Sequence, residues 1–316
     1  MNFDQSKKII FVPFAYVENK RSGINISAET ESKKIDVYMK NICNALVSAK
    51  NHNPTCTVAL VTNLVDSQIP IHIRQIFQEQ SVDVLRVNFD RFLFRADYPW
   101  SLAFYKFCAL SHLLDMDYQY FCWLDSDVWV QGAFDAIWKE VQYSLMLYDI
   151  NHGLNTRNYV VLCDEVERFT GKQEYITHFG GEFFAANASN ARTFHERAIA
   201  IYEKMIQGDF VTTKGDEFIT SLVAAQMRGI VKNSAAYICR YWTGPFRLVS
   251  TSYQYNKVLV LHVPDEKEQG MLRIFNHYLS KGRIPSDNKV WLILGLSRPH
   301  YIKLFKAKIV NVLRRK

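Results

Sequence analysis

The stretch Tyr118-Gln-Tyr-Phe-Cys-Trp-Leu-Asp-Ser-Asp-Val-Trp-Val130 decides how the rest of the chain is read. Its first seven residues are mostly aromatic and apolar, the composition of a strand covered on both faces. The run ends on Asp125-Ser126-Asp127, after which Val128, Trp129 and Val130 resume the apolar pattern. Carboxylates are expensive to place among such neighbours unless they are paired or meet a cation. A D-x-D tripeptide alone is equally the mark of a solvated turn. The apolar segments on both sides favour a functional site at a strand end.

Upstream of this stretch, strand-like and helix-like segments alternate. Ile9 to Phe14 is a short apolar run bounded by polar residues, Thr57 to Val61 a second and Val82 to Val87 a third, all three fitting strands. Between them, Ile35 to Lys50 carries Ile35, Tyr38, Met39, Ile42, Leu46 and Val47 at helical intervals, and Pro70 to Gln80 reads as a helix opening on proline. Leu102 to Leu114 is a further helix leading into the aromatic strand, and Phe134 to Val141 another beyond it. Such alternation predicts right-handed crossovers and a mixed, mainly parallel sheet flanked by helices, with ligands bound outside the carboxyl ends of the strands. Asp125 and Asp127 fall at such an end.

A chain of 316 residues, 48% hydrophobic, buries a large core, and nothing in it suggests disorder or a fibre. No repeat or proline-rich linker divides it, so one α/β domain over residues 1–290 is expected, followed by a basic tail over 291–316. The six cysteines are scattered, with no C-x-x-C pair and no zinc spacing, which suits a reducing compartment. No window is long and apolar enough for a spanning helix, and the first residues are polar, so the expected location is cytoplasmic, soluble or peripheral at the inner face of the membrane.

The net charge of +7 is concentrated late: no acidic residue follows Asp287, whereas Lys289, Arg298, Lys303, Lys306, Lys308, Arg314, Arg315 and Lys316 do. Within the tail, Ile302, Phe305, Ile309, Val312 and Leu313 recur at spacings of three and four. A basic amphipathic helix of this kind fits an anionic membrane surface, or simply a terminal helix packed on the domain. No basic and aromatic motif accompanies the charge, so nucleic acid is not an expected partner.

Two carboxylates one residue apart at the mouth of a parallel sheet suit a hard divalent cation, Mn²⁺ or Mg²⁺. Such a cation stabilises the charge that grows on a departing diphosphate. The segment Tyr120 to Val130, preceded by a helix containing Tyr105-Lys106, resembles the core of the GT-A glycosyltransferase superfamily. The resemblance implies a single GT-A, Rossmann-like domain and a metal-dependent enzyme. Its donor would be a nucleotide diphosphate sugar, with a UDP-hexose the expected case, and its acceptor a glycan or lipid-linked hydroxyl. A role in bacterial surface polysaccharide or lipopolysaccharide synthesis would follow.

Several further residues acquire roles from the resemblance. Asp125, Asp127 and a late histidine, His262 in Val258-Leu-Val-Leu-His-Val-Pro264, would hold the metal. Gly180, Gly181 and Glu182 in Phe179-Gly-Gly-Glu-Phe-Phe-Ala-Ala-Asn187 would line the sugar and acceptor pocket, where paired glycines let a ligand near the backbone. Asp216 or Glu217 would meet the acceptor hydroxyl as catalytic acid or base. The nucleotide would rest on Pro13, Ala15 and Tyr16 after the first strand, on Thr62 and Asn63 after the second, and on Lys106, Asp125 and Ser126. Tyr16 would stack on the base and Asn63 read its edge.

Each role has a plainer counterpart. The glycines suit a tight turn entering a strand, the acidic pair a helix N-terminus, His262 a satisfied core residue and Lys106 a solvated helix face. Inversion or retention at the anomeric carbon stays open. A sugar nucleotidyltransferase also uses strand-end carboxylates and a metal, but no glycine-rich, lysine-containing phosphate loop stands near the first strand. A non-catalytic carbohydrate-binding protein of the same fold is the other alternative.

Overall fold

The computed structural model describes residues 7–17, 26, 30–95, 98–243, 258–296 and 309. Ten strands are present among them: β1 Lys8–Phe14, β2 Thr57–Thr62, β3 Asp83–Arg86, β4 Tyr120–Leu124, β5 Val128–Val130, β6 Leu145–Asp149, β7 Phe179–Asn187, β8 Val231–Asn233, β9 Ile238–Arg240 and β10 Val260–His262. The helices are α1 Glu31–His52, α2 Ile71–Glu79, α3 Tyr105–Leu114, α4 Asp135–Glu140, α5 Arg157–Thr170, α6 Ala188–Gln207, α7 Asp216–Gln226, α8 Gly270–Lys281 and α9 Asp287–Ile293. The expected strand and helix alternation is therefore observed.

A seven-stranded sheet runs in the order β3-β2-β1-β4-β7-β6-β8, and a three-stranded sheet in the order β5-β10-β9. In the larger sheet only β7 opposes its neighbours, pairing antiparallel with β4 and β6. The fold class expected from the sequence, α/β with a mixed and mainly parallel central sheet, is the one found. Alternate residues of each strand enter opposite cores, because side chains point to opposite faces with a period of two. Ile9, Phe11, Trp123 and Phe184 join the core that includes residues of α3, α6 and α7. Ile10, Val12, Cys122 and Leu124 join the core containing α1 and α2 residues. On the first face Trp123 stacks on Phe184 with ring centroids 4.2 Å apart.

α1 begins at Thr30, whose hydroxyl accepts from the Lys33 amide, a side-chain cap on an otherwise unpaired backbone donor. Along its buried face runs a polar stripe. Asn41 donates to the Lys267 carbonyl, Asn44 to the Met271 carbonyl, Ser48 accepts from the Val130 amide and Asn53 accepts from the Phe134 amide. One helix thus packs on the large sheet and is bonded to the small sheet and to α8.

Three segments differ from the sequence reading in extent. The helix expected from Leu102 starts at Tyr105, the residues before it forming turns. The glycine-bearing segment Phe179–Asn187 is a strand throughout its length. The boundary drawn at residue 290 falls inside α9, and Val290, Leu294 and Leu296 are buried in a third core with Trp129. The amphipathic helix expected in residues 297–316 lies outside the described residues, apart from Ile309. All six cysteines are free thiols, and no described helix is long and apolar enough to cross a membrane.

Candidate active site

The sequence Asp125-Ser126-Asp127 is the bridge between the two sheets. β4 ends at Leu124 in the large sheet and β5 begins at Val128 in the small one. Strand register then delivers the partners. Leu124 lies opposite Phe183 on β7, and the ladder continues with the Asp125 amide donating to the Glu182 carbonyl at 3.0 Å. Val128 lies opposite His262 on β10, and the Val263 amide donates to the Asp127 carbonyl at 3.0 Å. His262 in turn lies beside Arg240 on β9. Four chain segments far apart in sequence therefore reach one point through backbone pairing alone.

At that point Asp127 is fully buried and His262 nearly so, while the Asp125 side chain is 42% exposed. His262 Nε2 lies 3.3 Å from Asp127 Oδ2 and 3.9 Å from Asp125 Oδ2. Ligand atoms of the three residues all fall within 4.8 Å of one another, a spacing that one small cation bridges. Ser126 completes the turn, its amide donating to Asp125 Oδ1 at 2.8 Å. The Lys267 ammonium sits 2.7 Å from Asp127 Oδ2, forming an ion pair. Asp127 Oδ2 and His262 Nε2 are both buried and face each other, and the carboxylate oxygen is also ion-paired to Lys267. Carboxylate and imidazole donor atoms facing each other beside a half-exposed carboxylate could hold a divalent metal ion. When bound, such an ion acts as a Lewis acid toward phosphate oxygens.

The electrostatics agree with a site that demands positive charge. Burial alone would raise the Asp127 carboxyl, but Lys267 and His262 outweigh it and hold the group well below the usual carboxylate range. Burial likewise opposes ionisation of His262, yet Asp127 and Glu182 overcome it and push its pKa up to about 9.

A second cluster adjoins the first. Lys106 on α3 lies 2.6 Å from Asp216 Oδ2 and donates to the Gly181 carbonyl at 2.9 Å. Asp216 opens α7 after Gly215, whose positive φ of 61° suits glycine and whose place next to Trp100 leaves a Cβ little room. Burial pushes the Asp216 carboxyl up to about 6, with Lys106 opposing and Glu217 and Asp125 adding to the rise. Glu217 is held low despite burial, because His178 Nε2 lies 3.0 Å from its Oε2 and Arg240 Nη2 lies 3.5 Å from its Oε1. Two adjacent acids are thereby driven apart, one a buried group poised near neutrality and one a fixed anion, the arrangement that separates acid and base roles.

Gly180 and Gly181 are tight for reasons internal to the protein. A side chain at Gly181 would run into Asp216 and Lys106, and one at Gly180 into Glu182 and Ile150. The Glu182 side chain is enclosed, bound by Arg240 at 2.7 and 2.8 Å. On the nucleotide side, Pro13 lies in β1, Ala15 is buried just beyond it, and Tyr16 lines an open cleft with Ile35, Asp36, Gln68 and Pro70. Asn63 spends both ends of its carboxamide on the Tyr16 main chain, accepting from its amide at 2.9 Å and donating to its carbonyl at 2.7 Å. It shapes the loop that presents Tyr16.

The structure thus brings Lys106, Asp125, Ser126, Asp127, Gly180, Gly181, Glu182, Asp216, Glu217 and His262 together, and sets Pro13, Ala15, Tyr16 and Asn63 at the neighbouring strand ends. Sequence reading missed Lys267, Arg240 and His178. Arg240 had a signal, since it closes a short apolar strand as Asp125 does. Asn41, Asn44 and Ser48, one polar face inside an apolar helix, were a second.

No protein-family model matches the chain, and no curated protein matches it in sequence. Its fold does match. The crystal structure of mouse xyloside xylosyltransferase 1, apo form, superposes with a TM-score of 0.51 over 81% of this chain and 97% of that one, at 8% sequence identity. At that identity the likeness is one of fold: this chain shares the fold of that xylosyltransferase.

Proposed function

We propose that the protein is a metal-dependent glycosyltransferase, moving a hexose-type sugar from a nucleotide diphosphate donor, a UDP-sugar, to the hydroxyl of a glycan or lipid-linked acceptor. One observation carries the proposal: at the carboxyl edge of the parallel strands, the buried Asp127 Oδ2 and His262 Nε2 converge beside the half-exposed Asp125. A cation at this place would stabilise a departing nucleoside diphosphate, and the fold shared with a xylosyltransferase supports a glycosyl transfer function. Asp125, Asp127 and His262 would hold Mn²⁺ or Mg²⁺. Lys267 stands where its ammonium can pair with a diphosphate oxygen. Tyr16 offers a ring to the base in the cleft beside α1 and α2, and Asp216, with its pKa near neutrality, takes the acceptor proton or orients the acceptor.

The biological setting belongs to the same reading: a cytoplasmic enzyme of surface polysaccharide or lipopolysaccharide assembly, brought to the membrane by its basic tail. Deleting Arg298 to Lys316 should release the protein from anionic vesicles, and unchanged binding rejects the membrane part. The central experiment is isothermal titration with UDP and GDP, with and without Mn²⁺, repeated on Asp127→Ala. Metal-dependent binding of one nucleotide that the substitution abolishes supports the proposal. Absence of binding by either nucleotide in the presence of Mn²⁺ counts against the donor, and sugar binding that survives chelation, with no donor turnover, favours a carbohydrate-binding protein instead.

A further inference from the structure

Glu182 is fully enclosed, yet it touches both sides of the metal seat. Its main-chain carbonyl accepts from the Asp125 amide at 3.0 Å, which fixes the turn carrying that carboxylate. Its side chain has no exposed surface, and Oε1 lies 3.3 Å from His262 Nδ1. The carboxylate is itself clamped by the Arg240 guanidinium, Nε to Oε1 and Nη2 to Oε2 at 2.7 and 2.8 Å. Gly180 leaves the space that the carboxylate fills, since a Cβ there would collide with it.

We infer that Glu182, clamped by Arg240, is a positioning residue that fixes His262 as the Nδ1–H tautomer and so presents the Nε2 lone pair to the metal. Hydrogen-bond polarity decides this. Arg240 has five donors and no acceptor, so both Glu182 oxygens must accept from it. A carboxylate held in that way can only accept from His262, so the ring proton sits on Nδ1. Nε2 is then the ring nitrogen that gives up its proton when a metal binds, and it is the one that faces Asp127 and Asp125. A carboxylate behind a ligating histidine both sets the ring orientation and raises its basicity, and losing it typically weakens metal affinity by roughly 10- to 100-fold. The same clamp reaches Glu217, because Arg240 Nη2 lies 3.5 Å from Glu217 Oε1. Metal ligand and acidic pair are thus tied to one guanidinium.

This inference rests on the metal site proposed above, and the experiment separates the two. Mn²⁺ is titrated by electron paramagnetic resonance into the wild-type chain, Asp127→Ala and the double variant Glu182→Leu with Arg240→Leu. The double variant removes the clamp without leaving a lone buried charge. Wild-type binding that Asp127→Ala abolishes and the double variant weakens by about 10- to 100-fold is the expected result. Binding by the double variant within about threefold of wild type overturns the inference while the metal site stands; a wild-type chain that binds no Mn²⁺ overturns both. Should the double variant fail to fold, ¹⁵N spectra of the wild-type histidine rings with Mg²⁺ bound decide alone. A proton on His262 Nδ1 is expected, and one on Nε2 with Nδ1 bare rejects the assignment.

Discussion

The two halves of the molecule handle polarity in opposite ways. Around β1 and β2 the strands are apolar, and the groups at their carboxyl ends include main chain, an aromatic ring and a carboxamide already paired with the Tyr16 backbone. Around β7, β9 and β10 the interior holds Lys106, Asp127, Glu182, Asp216, Arg240, His262 and Lys267, nearly all enclosed and each facing an opposite charge. Buried ion pairs add little to stability because desolvation takes back most of their attraction. Under the proposed function, the charged half would carry out chemistry on a charged ligand, while the half around β1 and β2 would cradle a flat one. Asp125-Ser126-Asp127 lies on the border.

That contrast is open to attack at several points. The largest effect is expected from Asp127→Ala, which removes the most buried ligand and leaves His262 and Lys267 without their shared anion. Transfer or donor hydrolysis should fall by about 10³ or more, and activity within tenfold of wild type in a steady-state assay would mean the charged half is not the reacting half. Asp216→Asn comes next, with a loss of about 10² in turnover. The wild-type pH profile sharpens the point. Because burial raises the Asp216 pKa to about 6, its ionised form fills as pH rises through that value. If it acts as a base, the rate should climb over the same range, and the limb should vanish in the asparagine variant.

Smaller effects test packing on each side. Gly181→Ala would press a methyl group into the Asp216 and Lys106 pair, and overpacking of this kind costs about 1–3 kcal/mol. Thermal denaturation should show a lower midpoint, and an unchanged midpoint would mean the pair moves aside freely. Asn63→Ala should be the mildest: it unties the Tyr16 loop at a cost of about 1 kcal/mol. Nucleotide affinity should then weaken by about fivefold, while turnover at saturating donor holds. A loss of turnover instead would erase the division between a binding half and a reacting half.

The same division explains what the sequence made legible. β1, β2 and β4 are short apolar runs with helical segments between them, and a parallel sheet covered on both faces leaves that trace in order along the chain. Asp125 and Asp127 stood out because they interrupt such a run. The rest of the charged half is assembled by pairing across long intervals: Glu182 reaches Asp125 through β7, and Arg240 reaches His262 through β9. Nothing in the spacing of residues 182, 240 and 262 announces that they meet. Lys267 was hidden for another reason, since it follows β10 in a loop and is placed by Asn41, more than two hundred positions earlier. The glycines at 180 and 181 were read as room for a ligand, whereas in the fold their open faces meet Glu182 and Asp216.

The polar stripe of α1 has a consequence for how the molecule comes apart. Asn44, Ser48 and Asn53 bond a helix of the large sheet's core to α8, to β5 and to the start of α4. The small sheet cannot peel away without breaking these bonds and exposing the apolar face of α1 that they hold against β5, so the melting of one sheet is tied to that of the other. Heat or denaturant should meet a single cooperative unit, in which the hinge between the sheets is among the last places to loosen.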